Sequence, residues 1–451
     1  MRKDQFAKLL KVAKCSTLPI LDKTGYVKNG KITSTDREIS LSMPCPWEGE
    51  GIVDLKLLSK LKGLTHLSID SETHSAFAKV GNGTQKVALA GNTEEYVTIP
   101  NTPEMVGVVT AHDIHNLKTA KRFVGDDEHR PVMTGVYLTD KKIAATNAHW
   151  LFSQDVASDL PEGTEIIIPA RVMDLLDDKV SYSLHKGKRD EDDTRIYYSL
   201  TNGDETITFV PIDGKYPNFE VVIPTENPLT LAVDTKTFKE ALEAALPSAN
   251  TSTKTVNLYI REKWMKLHAE DIDFSNEFST IIPVSTSWKF PEPKPVEEGA
   301  DVPPVPEAPE VFGYAINGKS MLEILKLSGS TTVIQMSTPN RAMLIGPILL
   351  MPVISEADPL ESFPESEIPT AQEQPAVTIP TVPAGGFKPL SFKGIVLADY
   401  SERAFVIRGK TKDHKDKLKE LNGRFNPYLE GGPGWIFPKK WFDNVVSTLT
   451  Y

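Results

Sequence analysis

A chain of 451 residues, 40% hydrophobic and 25% charged, carries enough apolar material for several buried cores. Its two cysteines, Cys15 and Cys45, exclude a disulfide framework and point to a reducing, cytoplasmic compartment. No apolar run reaches the length of a membrane span, and the opening MRKDQFAKLLKVAK lacks the pattern of a secretory signal. A formal net charge of -11 argues at first against a nucleic-acid partner. It does not exclude one, because a whole-chain sum hides opposite charge on opposite surfaces.

In chain order, the first predicted element is an amphipathic helix over Lys3–Lys14. A turn and alternating strand follow from Asn29 (NGKITSTDREISL). From Gly51 (GIVDLKLLSKLKG) a β-rich run enters a helix with Leu55, Leu58 and Leu61 at helical spacing. An extended run, EEYVTIP, closes on Pro100. The same order then returns twice. Helix His112–Val124 precedes DKKIAATNAHWLF from Asp140, EIIIPARVMDLLDD from Glu165, and NFEVVIP ending at Pro224. Helix Asp234–Leu246 precedes REKWMKLHAEDIDF from Arg261, VFGYAINGKSMLEILKL from Val311, and ILLMPVI around Pro352. Recurrence at intervals of about 110–120 residues raises weak local patterns to a domain-scale repeat.

Two segments interrupt this order, 289–311 and 355–386, both rich in Pro, Glu and small residues. Proline withholds a backbone donor and like charges repel, so neither builds a core. The first reads as an insertion in the third repeat, the second as a flexible linker. The expected fold class is α+β, with three repeated domains at 1–107, 108–228 and 229–354. Each has two helices backed by antiparallel sheets, and a small basic α+β domain follows at 387–451.

Four short motifs, in order on this repeat, resemble the bacterial DNA polymerase III beta subunit, the sliding-clamp family. STLPIL at Ser16–Leu21 looks like the family's stretch after its first helix, and TNAHWL at Thr146–Leu151 like its T-D-G-H-R-L run. DGKYPNFEVVIP at Asp213–Pro224 is close to its D-G-[RK]-[FY]-P-[DN]-[YF] segment, and LLMPVI at Leu349–Ile354 occupies the place of its M-P-[VM]-R-L end. The resemblance implies a homodimer, two chains of three domains closed head-to-tail into a six-domain ring around duplex DNA. Such a ring is a processivity factor, not an enzyme, and needs no cofactor or metal. Its implied partners are the replicative polymerase and the clamp loader.

Helices lining that bore would present Lys3, Lys8, Lys11, Lys14, Lys56, Lys60, Lys118, Lys121, Arg122, Arg171, Lys236, Lys239 and Lys319 to DNA. The same cations are also what ordinary solvated helix faces carry. The resemblance further implies a pocket for a Gln-, Leu- and Phe-containing partner peptide. Its matching positions are Met133, Thr146, His149, Trp150, Leu151, Pro217, Phe219, Val222, Leu349, Met351, Pro352 and Val353. Core packing is the alternative for these residues. Trp150 and Ile354 stand where the family usually has arginine, which predicts a more apolar peptide. The competing function is a clamp-like scaffold that does not encircle DNA and acts through its C-terminal domain.

Gly313 to Ser320 matches the phosphate-cradling G-x-x-x-x-G-K-[ST] pattern between a strand and a helix. The other repeats have no glycine loop there, and no hydrophobic strand ending in Asp follows to hold Mg²⁺. Coincidence is the favoured account. The acidic runs Asp126–Glu128 and Asp190–Asp193 read as exposed loops. Residues 387–451 combine Lys410, Lys412, Lys415, Lys417, Lys419, Arg424, Lys439 and Lys440 with Phe405, Phe425, Trp435, Phe437 and Trp441. Basic residues among aromatics suit nucleic-acid stacking, but a small domain also needs such aromatics for its core.

Overall fold

Four helices of the three repeats begin where a strand delivers a side chain able to cap them. α2 (Leu55–Lys60) starts after Asp54, whose Oδ1 accepts from Leu57 N–H at 2.8 Å. α3 (Ala111–Ala120) starts after Thr110, which accepts from Asp113 N–H. α4 (Thr235–Ala245) and α5 (Gly318–Leu325) start after Asp234 and Asn317 in the same way. Each cap satisfies an otherwise orphaned donor, a contribution of about 1 kcal/mol. On α1 (Lys3–Ala13), Phe6, Leu9 and Val12 form the buried stripe; on α4, Phe238 and Leu242 do the same. Burying each such side chain contributes about 2 kcal/mol.

This computed structural model describes the chain except residues 15, 97–103, 189–194, 291–306, 356, 370–389, 393–394, 402–403, 410, 412–413, 422, 427–433, 439–444 and 446–451. It divides into two units, Met1–Thr378 and Ile379–Tyr451. In the first unit one pattern recurs three times. Strands Thr24–Lys28, Lys31–Thr35, Ile39–Pro44 and Gly51–Asp54 form a sheet in which the fourth strand pairs back on the first. Strands Gly135–Thr139, Lys142–Thr146, Trp150–Asp155 and Glu165–Pro169 repeat that order. So do Thr255–Ile260, Trp264–Asp271, Asn276–Pro283 and Phe312–Asn317. A second antiparallel meander follows each: Leu64–Asp70 to Gly83–Ala88, Tyr182–Lys188 to Thr206–Phe209, and Thr331–Met336 to Ile348–Leu350.

Neighbouring repeats share sheets. Ile39–Pro44 of the first repeat pairs with Thr206–Phe209 of the second, with Leu41 opposite Ile207. Trp150–Asp155 of the second pairs with Ile348–Leu350 of the third, with Leu151 opposite Leu349. Both junctions use the same two strands of the repeat. Among the described residues, the two strands of the joining types that lie at a sheet edge without such a junction are Gly83–Ala88 in the first repeat and Asn276–Pro283 in the third.

Two expectations are corrected. The second helix of repeat two is a 3-10 turn, Ala170–Asp174, because Pro169 offers no capping side chain where the other repeats have Asp54 and Asn317. The linker expected at 355–386 is structured at its start. There α6 (Pro359–Ser362) and a 3-10 turn, Glu365–Glu367, flank Phe363, which is fully buried with Tyr259 and Val311. A buried aromatic anchors the segment despite its polar composition. Its later residues, most of the 289–311 insertion, Cys15 and Asp190–Asp193 lie outside the described residues.

In the second unit, Leu390–Phe392, Ile395–Ser401, Ala404–Gly409, Gly434–Pro438 and Arg424–Asn426 form one antiparallel sheet, with α7 at Lys415–Glu420. Phe405 stacks on Phe437 at 5.6 Å, and Trp435 is buried. Gly423 is required by close packing, since a Cβ there would lie 2.3 Å from the Phe437 ring.

Candidate DNA-facing surface and partner groove

Of the cations expected to face DNA, Lys3, Lys11, Lys14, Lys56, Lys60, Arg122 and Lys319 are exposed on their helices or turns. The others are engaged by carboxylates or, for Lys118, by a carbonyl oxygen. Lys8 Nζ lies 2.5 Å from Glu205 Oε1, and Arg171 donates to Asp36 at 2.6 Å and Glu38 at 2.9 Å. Both bridges tie repeat one to repeat two beside their shared sheet. Lys121 pairs with Asp174 at the end of the 3-10 turn, and Lys118 donates to the carbonyl oxygen of Leu176 just past it. Lys236 and Lys239 face Glu240 and Glu243 one turn on, which dilutes the positive charge of α4. On α3, burial holds the His112 imidazole below its ordinary pKa.

The expected peptide-pocket residues separate into three environments. Leu151, Phe219 and Leu349 are buried together with Ala144 and Tyr216 on one face of the shared sheet. There Tyr216 stacks on Tyr137 at 4.5 Å, and its hydroxyl accepts from Thr146 N–H at 3.1 Å. Burial pushes the Tyr216 phenol up to about 12. Trp150 points to the other face, because successive strand residues alternate, and packs on Phe123 with ring centroids 4.9 Å apart. Its indole Nε1 is buried with no hydrogen-bond partner. The structure therefore does not bring Trp150 and Leu151 into one pocket wall. Met133 and Pro217 are half-buried, His149 is exposed, and Val222 is 49% exposed.

The third environment is the run after the last strand. Met351 N–H donates to the His149 carbonyl oxygen and Val353 N–H to that of Ala315, both at 2.9 Å, carrying the chain from repeat two's edge to repeat three's sheet. Met351, Pro352 and Val353 line a groove of about 500 Å³ with Tyr259, Tyr314 and Pro359. Met351 is 36% and Ile354 90% exposed, an apolar surface beside that groove. The motif reading missed Tyr259 and Pro359, which no local pattern in the sequence marks.

The glycines of the phosphate-loop match have packing reasons. A Cβ at Gly313 would lie 2.6 Å from Pro359 Cγ, and one at Gly318 2.9 Å from Val256 Cγ2. Among the described residues, no cluster of three or more His, Cys, Asp or Glu could hold a metal ion, and no helix is long and apolar enough to cross a membrane. In the second unit, Lys415, Lys417, Lys419 and Arg424 are exposed, and Phe425 is exposed against Trp435 at 5.2 Å. Lys410, Lys412, Lys439, Lys440 and Trp441 lie outside the described residues.

No family model matches the chain. In sequence, the beta sliding clamp of Synechococcus elongatus is 20% identical over 319 residues, which span 66% of this chain and 78% of that one. The crystal structure of the DNA polymerase III subunit beta from Pseudomonas aeruginosa has a TM-score of 0.63 at 16% identity, covering 78% of this chain and 97% of that one. The beta subunit from Thermotoga maritima gives 0.62 at 18%, covering 78% and 97%. A Bartonella birtlesii sliding clamp bound to griselimycin gives 0.62 at 19%, covering 79% and 98%. The chain thus carries the α+β fold of bacterial DNA polymerase III beta subunits and continues past it into a further unit.

Proposed function

We propose that the protein is a sliding clamp: two copies close head-to-tail into a ring around duplex DNA and tether replication proteins to it. The role is binding by topology, not catalysis. The observation that carries this reading is the pair of open edges. Each intramolecular junction joins the third strand of one repeat's first sheet to the last strand of the next repeat's meander. Continuing that rule pairs Asn276–Pro283 of one copy with Gly83–Ala88 of the other. Two such junctions close two chains of three repeats. Ile272 and Phe274, 82% and 66% exposed at the turn leading into Asn276–Pro283, suit burial in that junction.

Exposed cations on α1, α2 and α5 supply loose, sequence-independent attraction for phosphates, which permits sliding. The partner site in this reading is the groove beside Met351–Ile354 together with the neighbouring apolar surface. Polymerase and clamp loader would dock there through short peptides. The test is retention on nicked circular DNA, before and after linearisation, with solution mass measured in parallel. A dimer held on circles and lost from linear ends supports the clamp. A monomer, or binding indifferent to linearisation, makes it a clamp-shaped scaffold working through residues 387–451.

A further inference from the structure

The junction between repeats one and two is held by side chains as well as by its strands. Arg171 of repeat two reaches across it and donates to Asp36 at 2.6 Å and Glu38 at 2.9 Å, in the turn before the joining strand of repeat one. The two ends of this bridge have equivalent positions in every repeat. Arg171 stands two residues past the end of Glu165–Pro169, the strand that leads into the 3-10 turn. Lys56 fills that place after Gly51–Asp54, and Lys319 fills it after Phe312–Asn317. Asp36 stands three residues before the joining strand Ile39–Pro44. Asn147 fills that place before Trp150–Asp155, and Asp273 fills it before Asn276–Pro283. All three repeats therefore carry a cation at the first position, but only repeats one and three carry a carboxylate at the second.

This distribution follows the junctions. Between repeats two and three, Asn147 offers no charge to match Lys319, which is exposed. At the two open edges the chain supplies one half of a bridge each. Lys56 lies in the repeat that bears the edge Gly83–Ala88, and Asp273 precedes the edge Asn276–Pro283. Both side chains are exposed, and within one chain no further repeat follows the third or precedes the first.

We propose that Lys56 of one copy bridges to Asp273 of the other and completes the ring-closing junction, as Arg171 and Asp36 complete the junction inside the chain. The inference rests on the ring reading and adds to it the charges that select the partner edge. Lysine is a point charge rather than a fork, so one carboxylate serves it where Arg171 engages two. Joining like ends of two chains would set Lys56 against Lys56 or Asp273 against Asp273, so the pair favours head-to-tail association. It also withdraws Lys56 from the cations left for DNA, as the internal bridge withdraws Arg171.

The test is sedimentation of the full-length protein over a range of concentrations, without DNA and at about 50 mM salt, where exposed charges are weakly screened. Lys56→Glu and Asp273→Lys are each expected to raise the dimer Kd at least about tenfold, because both junctions of the ring then hold like charges. An equimolar mixture of the two variants is expected to return the Kd to within about threefold of the unaltered value. In that mixed dimer one junction holds the native pair and the other holds the exchanged pair. Lys60→Glu, one turn along α2, is expected to change the Kd less than about twofold. A dimer that neither variant weakens, or that the mixture does not restore, overturns the proposal and leaves the ring standing. Equal weakening by Lys60→Glu also overturns it, since net charge would then account for the effect. An unaltered protein that stays at 49.8 kDa at every concentration overturns the ring reading itself and the proposal with it.

Discussion

Asp113 is the most heavily committed buried side chain of the second repeat. Its carboxylate accepts from Ala157 N–H at 3.0 Å, from Ser158 N–H at 2.7 Å, and from the Ser158 and Thr110 hydroxyls. One residue thereby staples the start of α3 to the chain leaving Trp150–Asp155. Replacing it with alanine leaves several donors buried without an acceptor, and each unsatisfied donor costs about 1–3 kcal/mol. Asp113→Ala is therefore expected to lower unfolding free energy by about 3 kcal/mol or more, read from the urea midpoint at unchanged slope. A loss under about 0.5 kcal/mol, as at an ordinary surface position, would mean the staple carries no load. Gly313 and Gly318 teach the complementary lesson. Their spacing imitates a phosphate loop, yet each is small because Pro359 or Val256 approaches from another part of the chain.

At the scale of elements, Lys8 and Arg171 act as bridges between repeats. Lys8 and Glu205 are 25% and 13% exposed and 197 residues apart, a pair intermediate between surface and core. Lys8→Glu is expected to cost about 1–2 kcal/mol, and adding Glu205→Lys should restore most of it. Denaturation of the two variants decides this; if the swap restores nothing, Lys8 is free to serve DNA and the bridge is incidental. This pair also marks the limit of what was legible in the sequence. Helices α1, α3 and α4 could be read from 3.6-residue periodicity, because a buried stripe is a local property. The carboxylate that folds opposite a given lysine is not local. Repeat two's 3-10 turn was obscured because Leu175 and Leu176 extend the apolar spacing past a start that Pro169 leaves uncapped. For Trp150 and Leu151 a usable signal existed: adjacent strand residues face opposite ways, so both cannot line one wall. The structured start of 355–386 was hidden by composition, since Pro, Glu and Ser surround its buried aromatic, Phe363.

At the scale of the whole molecule, the proposed ring closure rests on strand edges rather than on the helix cations as a group. An exposed edge is a liability that proteins usually blunt with charge or bulges. Here the turn before Asn276–Pro283 instead presents Ile272 and Phe274 to solvent. If these side chains are buried at the junction with Gly83–Ala88 of a second copy, each contributes about 2 kcal/mol. Together they amount to about 4 kcal/mol per junction, a factor of about a thousand in affinity. The double variant Ile272→Asp, Phe274→Asp should therefore reduce the solution mass from twice 49.8 kDa to 49.8 kDa. Because both positions are exposed within one chain, its thermal unfolding should shift little apart from the loss of dimer linkage. The same variant should still bind short linear duplex through its exposed lysines but should no longer be retained on nicked circles. A variant that stays dimeric places the contact between copies elsewhere and removes the pairing of these two edges. A variant that becomes monomeric yet remains on circles removes topology as the means of holding DNA, and leaves charge alone to account for retention.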